Sequence, residues 1–138
     1  MANTFRVLFV DDEPRLRQSW QRLLSSYPDI EFVGTLDTAD GLDAAVRATG
    51  AHVVLLDVSM PGQCPLDACR NLTRAAPDAR VVFYSGHDDA ALVEDCFHAG
   101  AWGFVDKLMP PDEIIAVLRR VAAGEPSFPR NFDAPTGG

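Results

Sequence analysis

His52-Val53-Val54-Leu55-Leu56-Asp57-Val58-Ser59-Met60-Pro61-Gly62 is the stretch whose reading decides the fold. Four consecutive apolar residues, Val53 to Leu56, end at a carboxylate and then at Met-Pro-Gly. A short unbroken apolar run closed by Pro-Gly reads as a strand buried on both faces, the kind found in parallel sheets. A carboxylate at the carboxyl end of such a strand has no place in the core. In open α/β sheets that end opens into the ligand crevice, so Asp57 is a candidate reactive group by position.

The same grammar extends outward in both directions. Phe5 to Val10 is a strand running into Asp11-Asp12-Glu13-Pro14. Pro14 suits the first turn of a helix, where its missing N–H costs little. That helix carries Leu16, Trp20, Leu23, Leu24 and Tyr27 at helical spacing and ends at Pro28-Asp29. Ile30 to Thr35 is a second strand. Thr38 or Asp40 can cap a second helix through Leu42, Ala45 and Val46, stopped by Gly50. After the Asp57 strand a helix starts near Pro65 and closes at Pro77-Asp78. Arg80 to Tyr84 is the fourth strand, leading to Ser85-Gly86-His87. Asp88 and Asp89 begin a helix that Gly100 stops. Ala101 to Val105 is the fifth strand, ending at Asp106-Lys107. Pro110, Pro111 and Asp112 start the last helix, which ends at Gly124. Strand and helix alternate five times, which implies right-handed crossovers and a parallel sheet covered on both faces. Residues 1–124 form one domain on this reading. Residues 125–138, rich in Pro and Gly, read as a linker or flexible tail.

Composition sets bounds. The 138 residues suit one domain with a full core, and 47% are hydrophobic. No apolar run approaches the ~20 residues of a membrane helix, and no signal peptide is visible, so no membrane contact is expected. The net charge of −8 argues against direct nucleic-acid contact by this chain, because phosphate binding needs a basic face. Cys64, Cys69 and Cys96 show no paired spacing and read as reduced thiols of a cytoplasmic protein.

The carboxyl ends of parallel strands share one edge of the sheet. That edge therefore collects Asp11 and Asp12, Asp57, Ser85 and Lys107. Crowded carboxylates repel one another, so their pKa values rise unless a hard cation such as Mg²⁺ relieves the repulsion. Asp57 can then attack phosphorus to form an aspartyl phosphate. Mg²⁺ and Lys107 neutralise charge, and the Ser85 hydroxyl can bond a phosphoryl oxygen.

Val7 to Glu13, the Asp57 strand with Met60-Pro61-Gly62, Ser85-Gly86, and Gly100 to Lys107 together closely resemble the receiver domain of bacterial two-component response regulators. The resemblance covers about Phe5 to Gly124. It implies the flavodoxin-like (βα)5 fold with strand order 2-1-3-4-5. It implies Asp57 as phosphoacceptor, and Asp11, Asp12, Asp57 and the Ser59 backbone carbonyl around Mg²⁺. Ser85 and Lys107 would contact the phosphoryl group. Ser85 and Phe104 would be the switch pair, with Phe104 turning inward on phosphorylation. Ser59 and His87 fall where the family tunes dephosphorylation. The family usually follows the lysine with proline, whereas here Leu108 follows it. A sensor histidine kinase is the implied partner, docking near Leu16 and Ser19, with a homodimer through the face from the fourth to the fifth helix. Val121 to Glu125 resembles the junction that leads to a LuxR-type helix-turn-helix output domain, so DNA contact would belong to such a domain or to a partner.

Two other functions compete. An aspartyl-phosphate phosphatase would need a second carboxylate two residues after the nucleophile, where this chain has Ser59. A phosphorylation-independent interaction module would not need the acidic and lysine set.

Overall fold

The computed structural model describes residues 4–60, 62–86, 89–129 and 132. Five strands alternate with five helices: β1 Phe5–Val10, α1 Pro14–Leu24, β2 Ile30–Leu36, α2 Leu42–Thr49, β3 Val53–Asp57, α3 Pro65–Ala75, β4 Arg80–Ser85, α4 Ala90–His98, β5 Gly103–Asp106 and α5 Pro111–Ala122. The strands form one sheet in the order β2-β1-β3-β4-β5, and every pairing is parallel. This is the flavodoxin-like arrangement with β3 at its centre.

Alternation along each strand sends side chains to two separate cores. Leu8, Val10, Val54, Leu56, Val81, Phe83 and Phe104 pack beneath α2, α3 and α4. Val7, Phe9, Val53, Leu55, Val82, Tyr84 and Val105 pack beneath α1 and α5. β3 is buried along its whole length because both its faces are covered. Its apolar run is therefore unbroken, where a one-sided strand would alternate.

Several helix ends differ in detail from the sequence expectation. α1 stops at Leu24, before Pro28, because the Ser25 and Ser26 hydroxyls donate to the Gln21 and Leu23 carbonyls at 2.6 Å. Tyr27 lies beyond the helix yet still packs on the α1 side of the sheet. Neither Thr38 nor Asp40 caps α2; Gly41 stands at its N-cap in the left-handed region. Thr38 Oγ1 instead accepts from the Asp40 amide, and Asp40 Oδ1 accepts from the Gln63 amide at 3.1 Å, tying the β2–α2 loop to the β3–α3 loop. Asp89 caps α4 through the Leu92 amide at 2.8 Å; Pro61, His87 and Asp88 lie outside the described residues. No peptide bond among the described residues is cis, the one between Lys107 and Leu108 included.

The segment after α5, expected as a loose linker, is held against the sheet. Ser127 makes a parallel bridge to Gly103, and Phe128 and Phe132 pack on the α4 side of the core. β5 is an edge strand, and on its free side Ser127 pairs with the Phe104 amide and the Trp102 carbonyl. Two aromatic side chains add apolar area that a linker reading of a Pro- and Gly-rich stretch undervalues.

Among the described residues no helix is long and apolar enough to cross a membrane. Cys64, Cys69 and Cys96 are free, and burial pushes the Cys69 and Cys96 thiols up to about 12.

Leu55 is fully buried at the centre of the sheet, so Leu55→Ala should destabilise the fold by about 3 kcal/mol through lost burial and a residual cavity. Urea unfolding should show a lower midpoint at unchanged slope.

Candidate functional site

The ends of β1, β3, β4 and β5 meet in an open crevice of about 500 Å³. Its walls include Asp11, Asp12, Asp57, Ser59, Ser85 and Lys107. Residues separated by up to ninety-six positions in the chain are thus brought together, because parallel pairing in register aligns the strand ends.

Asp57, the last residue of β3, is 2% exposed, and Asp11, just past β1, is 1% exposed. Lys107 Nζ donates to Asp57 Oδ2 at 3.1 Å and lies 3.7 Å from Asp11 Oδ2. The lysine's own backbone is anchored through its amide to the Ser85 carbonyl at 2.8 Å. The Ser59 amide donates to Asp57 Oδ1 at 3.0 Å, and the Glu13 amide donates to Asp11 Oδ1 at 2.9 Å. Each buried carboxylate therefore has one oxygen fixed by a backbone N–H of its own loop, and the other lies toward the Lys107 ammonium.

The charges are not fully balanced. Burial pushes the Asp11 carboxyl up to about 6, against the Glu13 amide bond that lowers it; the Asp57 charge adds to the rise. Burial acts to lower the Lys107 pKa, but the hydrogen bond and charge of Asp57, joined by Asp11, outweigh it and hold the ammonium above the ordinary lysine value. Asp11 Oδ2 is buried and accepts no hydrogen bond from the described residues. Asp11, Asp12 and Asp57 each offer a carboxylate oxygen, all within 4.8 Å of one another. A hard divalent cation that binds carboxylates and keeps waters, such as Mg²⁺, fits this donor set and the orphaned oxygen.

Phe104 faces the α4-side core and is 3% exposed, so it already lies inward in this conformation. Sequence reasoning did not single out the floor beneath Lys107. The ammonium lies 5.0 Å from the centre of the Tyr84 ring, within cation–π range. The Tyr84 hydroxyl accepts from Trp20 Nε1 at 3.3 Å, and Phe9, Trp20 and Tyr84 pack with ring centres 5.9 to 6.0 Å apart. Arg17 donates to the Asp11 carbonyl at 2.7 Å. Tyr84 looks like ordinary strand filler in sequence. The available signal was its register: it pairs with Asp57 on the neighbouring strand.

A doubly wound parallel sheet with three carboxylates and a lysine in one crevice at its carboxyl edge defines a class of α/β domains whose donor set suits a hard divalent cation. Comparison with known proteins narrows the class. Residues 7–119 match the model of the response regulator receiver domain, and the chain belongs to that family. It is 32% identical over 119 residues to the response regulator UvrY of Escherichia coli O6:H1, an alignment spanning 86% of this chain and 55% of that protein. It is 34% identical over 134 residues to the transcriptional regulatory protein MctR of Rhizobium johnstonii, spanning 96% of this chain and 62% of that one. The chain thus spans little more than half the length of these curated relatives. Among solved structures, a LuxR-family two-component response regulator from Aurantimonas sp. SI85-9A1 superposes with a TM-score of 0.85 at 28% identity, covering 91% of this chain and 89% of that one. The signal receiver domain of a NarL response regulator from Mycobacterium tuberculosis gives 0.82 at 30% identity, covering 89% and 99%.

Asp11 supplies a pH signature for the metal-free chain. Its native pKa of about 6 lies above the ordinary 3.8, so the native carboxyl keeps a proton that the unfolded chain has released. The stabilisation this gives is complete below about pH 4 and is lost as pH rises through about 6. Asp11→Asn should remove that dependence and gain up to about 3 kcal/mol over the parent between pH 4 and 7, read by urea unfolding in the presence of a chelator.

Proposed function

We propose that this chain is a phosphorylation-controlled receiver in which Asp57 accepts a phosphoryl group from a sensor histidine kinase. The observation that carries the reading is the placement of Asp57 and Asp11, both buried, around one lysine ammonium at 3.1 and 3.7 Å. Burial of two carboxylates is costly unless their charge has a use or a partner. Here one ammonium serves both.

The chemistry follows from the donor set. An Asp57 carboxylate oxygen attacks phosphorus, a P–O bond forms, the P–N bond of the kinase phosphohistidine breaks, and the nitrogen keeps its electron pair. Asp11, Asp12, Asp57 and the Ser59 carbonyl would hold Mg²⁺, which would neutralise phosphoryl charge. Lys107, fixed over the Tyr84 ring, exchanges its bond to Asp57 Oδ2 for one to a phosphoryl oxygen. Little else is required, because phosphoryl transfer rests mainly on positioning and electrostatics. No turnover of an external substrate is expected: position 59 is a serine, leaving no second carboxylate there to act as a general acid.

Ser85, at the end of β4, is the hydroxyl that would move toward the phosphoryl group. β4 and β5 are paired in register from Val82 to Ser85, so such a movement is felt by Phe104. The change takes the form of a population shift between the inward Phe104 seen here and an outward one. The kinase is assigned to α1 near Leu16 and Ser19, and self-association to the α4–β5–α5 face. The receiver extends over residues 1–124. A role in transcription, through an output domain or a partner, is supported by the name of the transcriptional regulatory protein MctR, and a cytoplasmic location is assigned with it.

Incubation with acetyl phosphate and Mg²⁺, read by intact mass, should add one phosphoryl group to the parent chain and none to Asp57→Ala. Omitting Mg²⁺ should abolish the addition. An unmodified parent, with candidate kinases also supplied, would overturn the reading.

A further inference from the structure

The segment after α5 is built into the sheet. α5 acts as the crossover of a further parallel unit: it starts after β5 and returns the chain to lie along the free side of β5. The Ser127 amide donates to the Trp102 carbonyl at 2.8 Å, and the Phe104 amide donates to the Ser127 carbonyl at 3.0 Å. The Arg120 guanidinium bonds Ser127 Oγ from α5 at 3.1 and 3.3 Å. Beyond the bridge, Phe128 and Phe132 close on Phe97 of α4, with the three ring centres 5.3 to 5.7 Å apart. Gly103 makes the approach possible. A Cβ there would stand 2.9 Å from the Ser127 carbonyl oxygen, a distance at which backbone must shift.

These contacts occupy the face assigned above to self-association, and what they cover is what a second copy would need. Without Ser127, β5 presents the Phe104 N–H and the Trp102 carbonyl along an open edge, the form of edge that pairs with another chain. Phe97 loses its aromatic cover. Arg120 loses its hydroxyl partner and becomes available to a carboxylate, and α4 carries exposed Glu94 and Asp95. A two-fold interface would set the acidic α4 of one copy against the basic end of α5 of the other, twice over.

We propose that residues 125–129 and Phe132 form a strap that occupies the β5 edge and competes with a second copy of the chain for the α4–β5–α5 face. This builds on the self-association assigned under the receiver reading, but not on phosphorylation. A face that is free only in a fraction of molecules binds more weakly by that fraction, so loosening the strap should tighten self-association.

The test uses the full chain without phosphoryl donor. Ser127→Pro removes the N–H given to Trp102, and a second variant, Phe128→Ala with Phe132→Ala, removes the aromatic anchor while leaving the backbone intact. Circular dichroism and the thermal midpoint establish that each is folded. Hydrogen exchange at the Phe104 amide, read at a dilution where parent and variants are monomeric, reports whether the strap has opened. Sedimentation should then show both variants self-associating about tenfold more tightly than the parent, with faster Phe104 exchange. Variants with an opened strap that stay as monomeric as the parent would overturn the competition. So would a parent that associates as tightly as the variants with its Phe104 amide still protected. Failure of the receiver reading is recorded separately, as absence of phosphoryl uptake by intact mass.

Discussion

One ammonium shared by two buried carboxylates is the constraint on which the rest of the structure depends. Asp11 and Asp57 are almost fully withdrawn from water, and a buried charge without a partner is among the costliest features a fold can carry. Lys107 offsets part of that cost from the end of β5, across β4, but one positive charge cannot balance two negative ones at full strength. Burial raises the Asp11 pKa, and the nearby Asp57 charge adds to the rise. The same imbalance leaves the site receptive to a hard cation and to an anionic group arriving with it. Stability is given up at the strand ends so that charge can be received there, a trade common at functional sites.

The surrounding packing keeps that arrangement in place. Lys107 rests on the Tyr84 ring, Tyr84 is held by Trp20, and Trp20 belongs to α1, whose first turn follows directly on Asp11 and Asp12. The acidic loop and the lysine are therefore coupled twice, once by charge and once through an aromatic floor. On the opposite side of the sheet Phe104 packs beneath α4, and its backbone amide meets Ser127. β5 thus carries the lysine at one end, the aromatic side chain on one face, and the strap along its free edge.

Much of this is legible in the sequence. The unbroken run Val53 to Leu56 marked a central parallel strand because burial on both faces removes alternation. Pro14, Pro65 and Pro111 marked helix starts because proline is tolerated only in the first turn. Asp11, Asp12, Asp57, Ser85 and Lys107 could be grouped because parallel strands align their carboxyl ends. Thr38 and Asp40 are good caps by type, but Thr38 accepts from the Asp40 amide and Asp40 from the Gln63 amide of the facing loop. Ser25 and Ser26 ended α1 early through hydroxyl bonds that compete locally with the helix. The strap was invisible because its reason to order lies elsewhere in the chain, on β5 and on Phe97.

By itself, then, the sequence determined the alternation of strands and helices, the parallel character of the sheet and the edge at which its reactive groups gather. Those properties follow from periodicity and from residue type, which are local. Only the tertiary structure decided that Lys107 reaches Asp57 before Asp11, that Tyr84 and Trp20 lie beneath it, that Phe104 is already inward, and that residues after Gly124 close the edge of β5. Each of those depends on distances between segments far apart in the chain, and no local pattern encodes such distances.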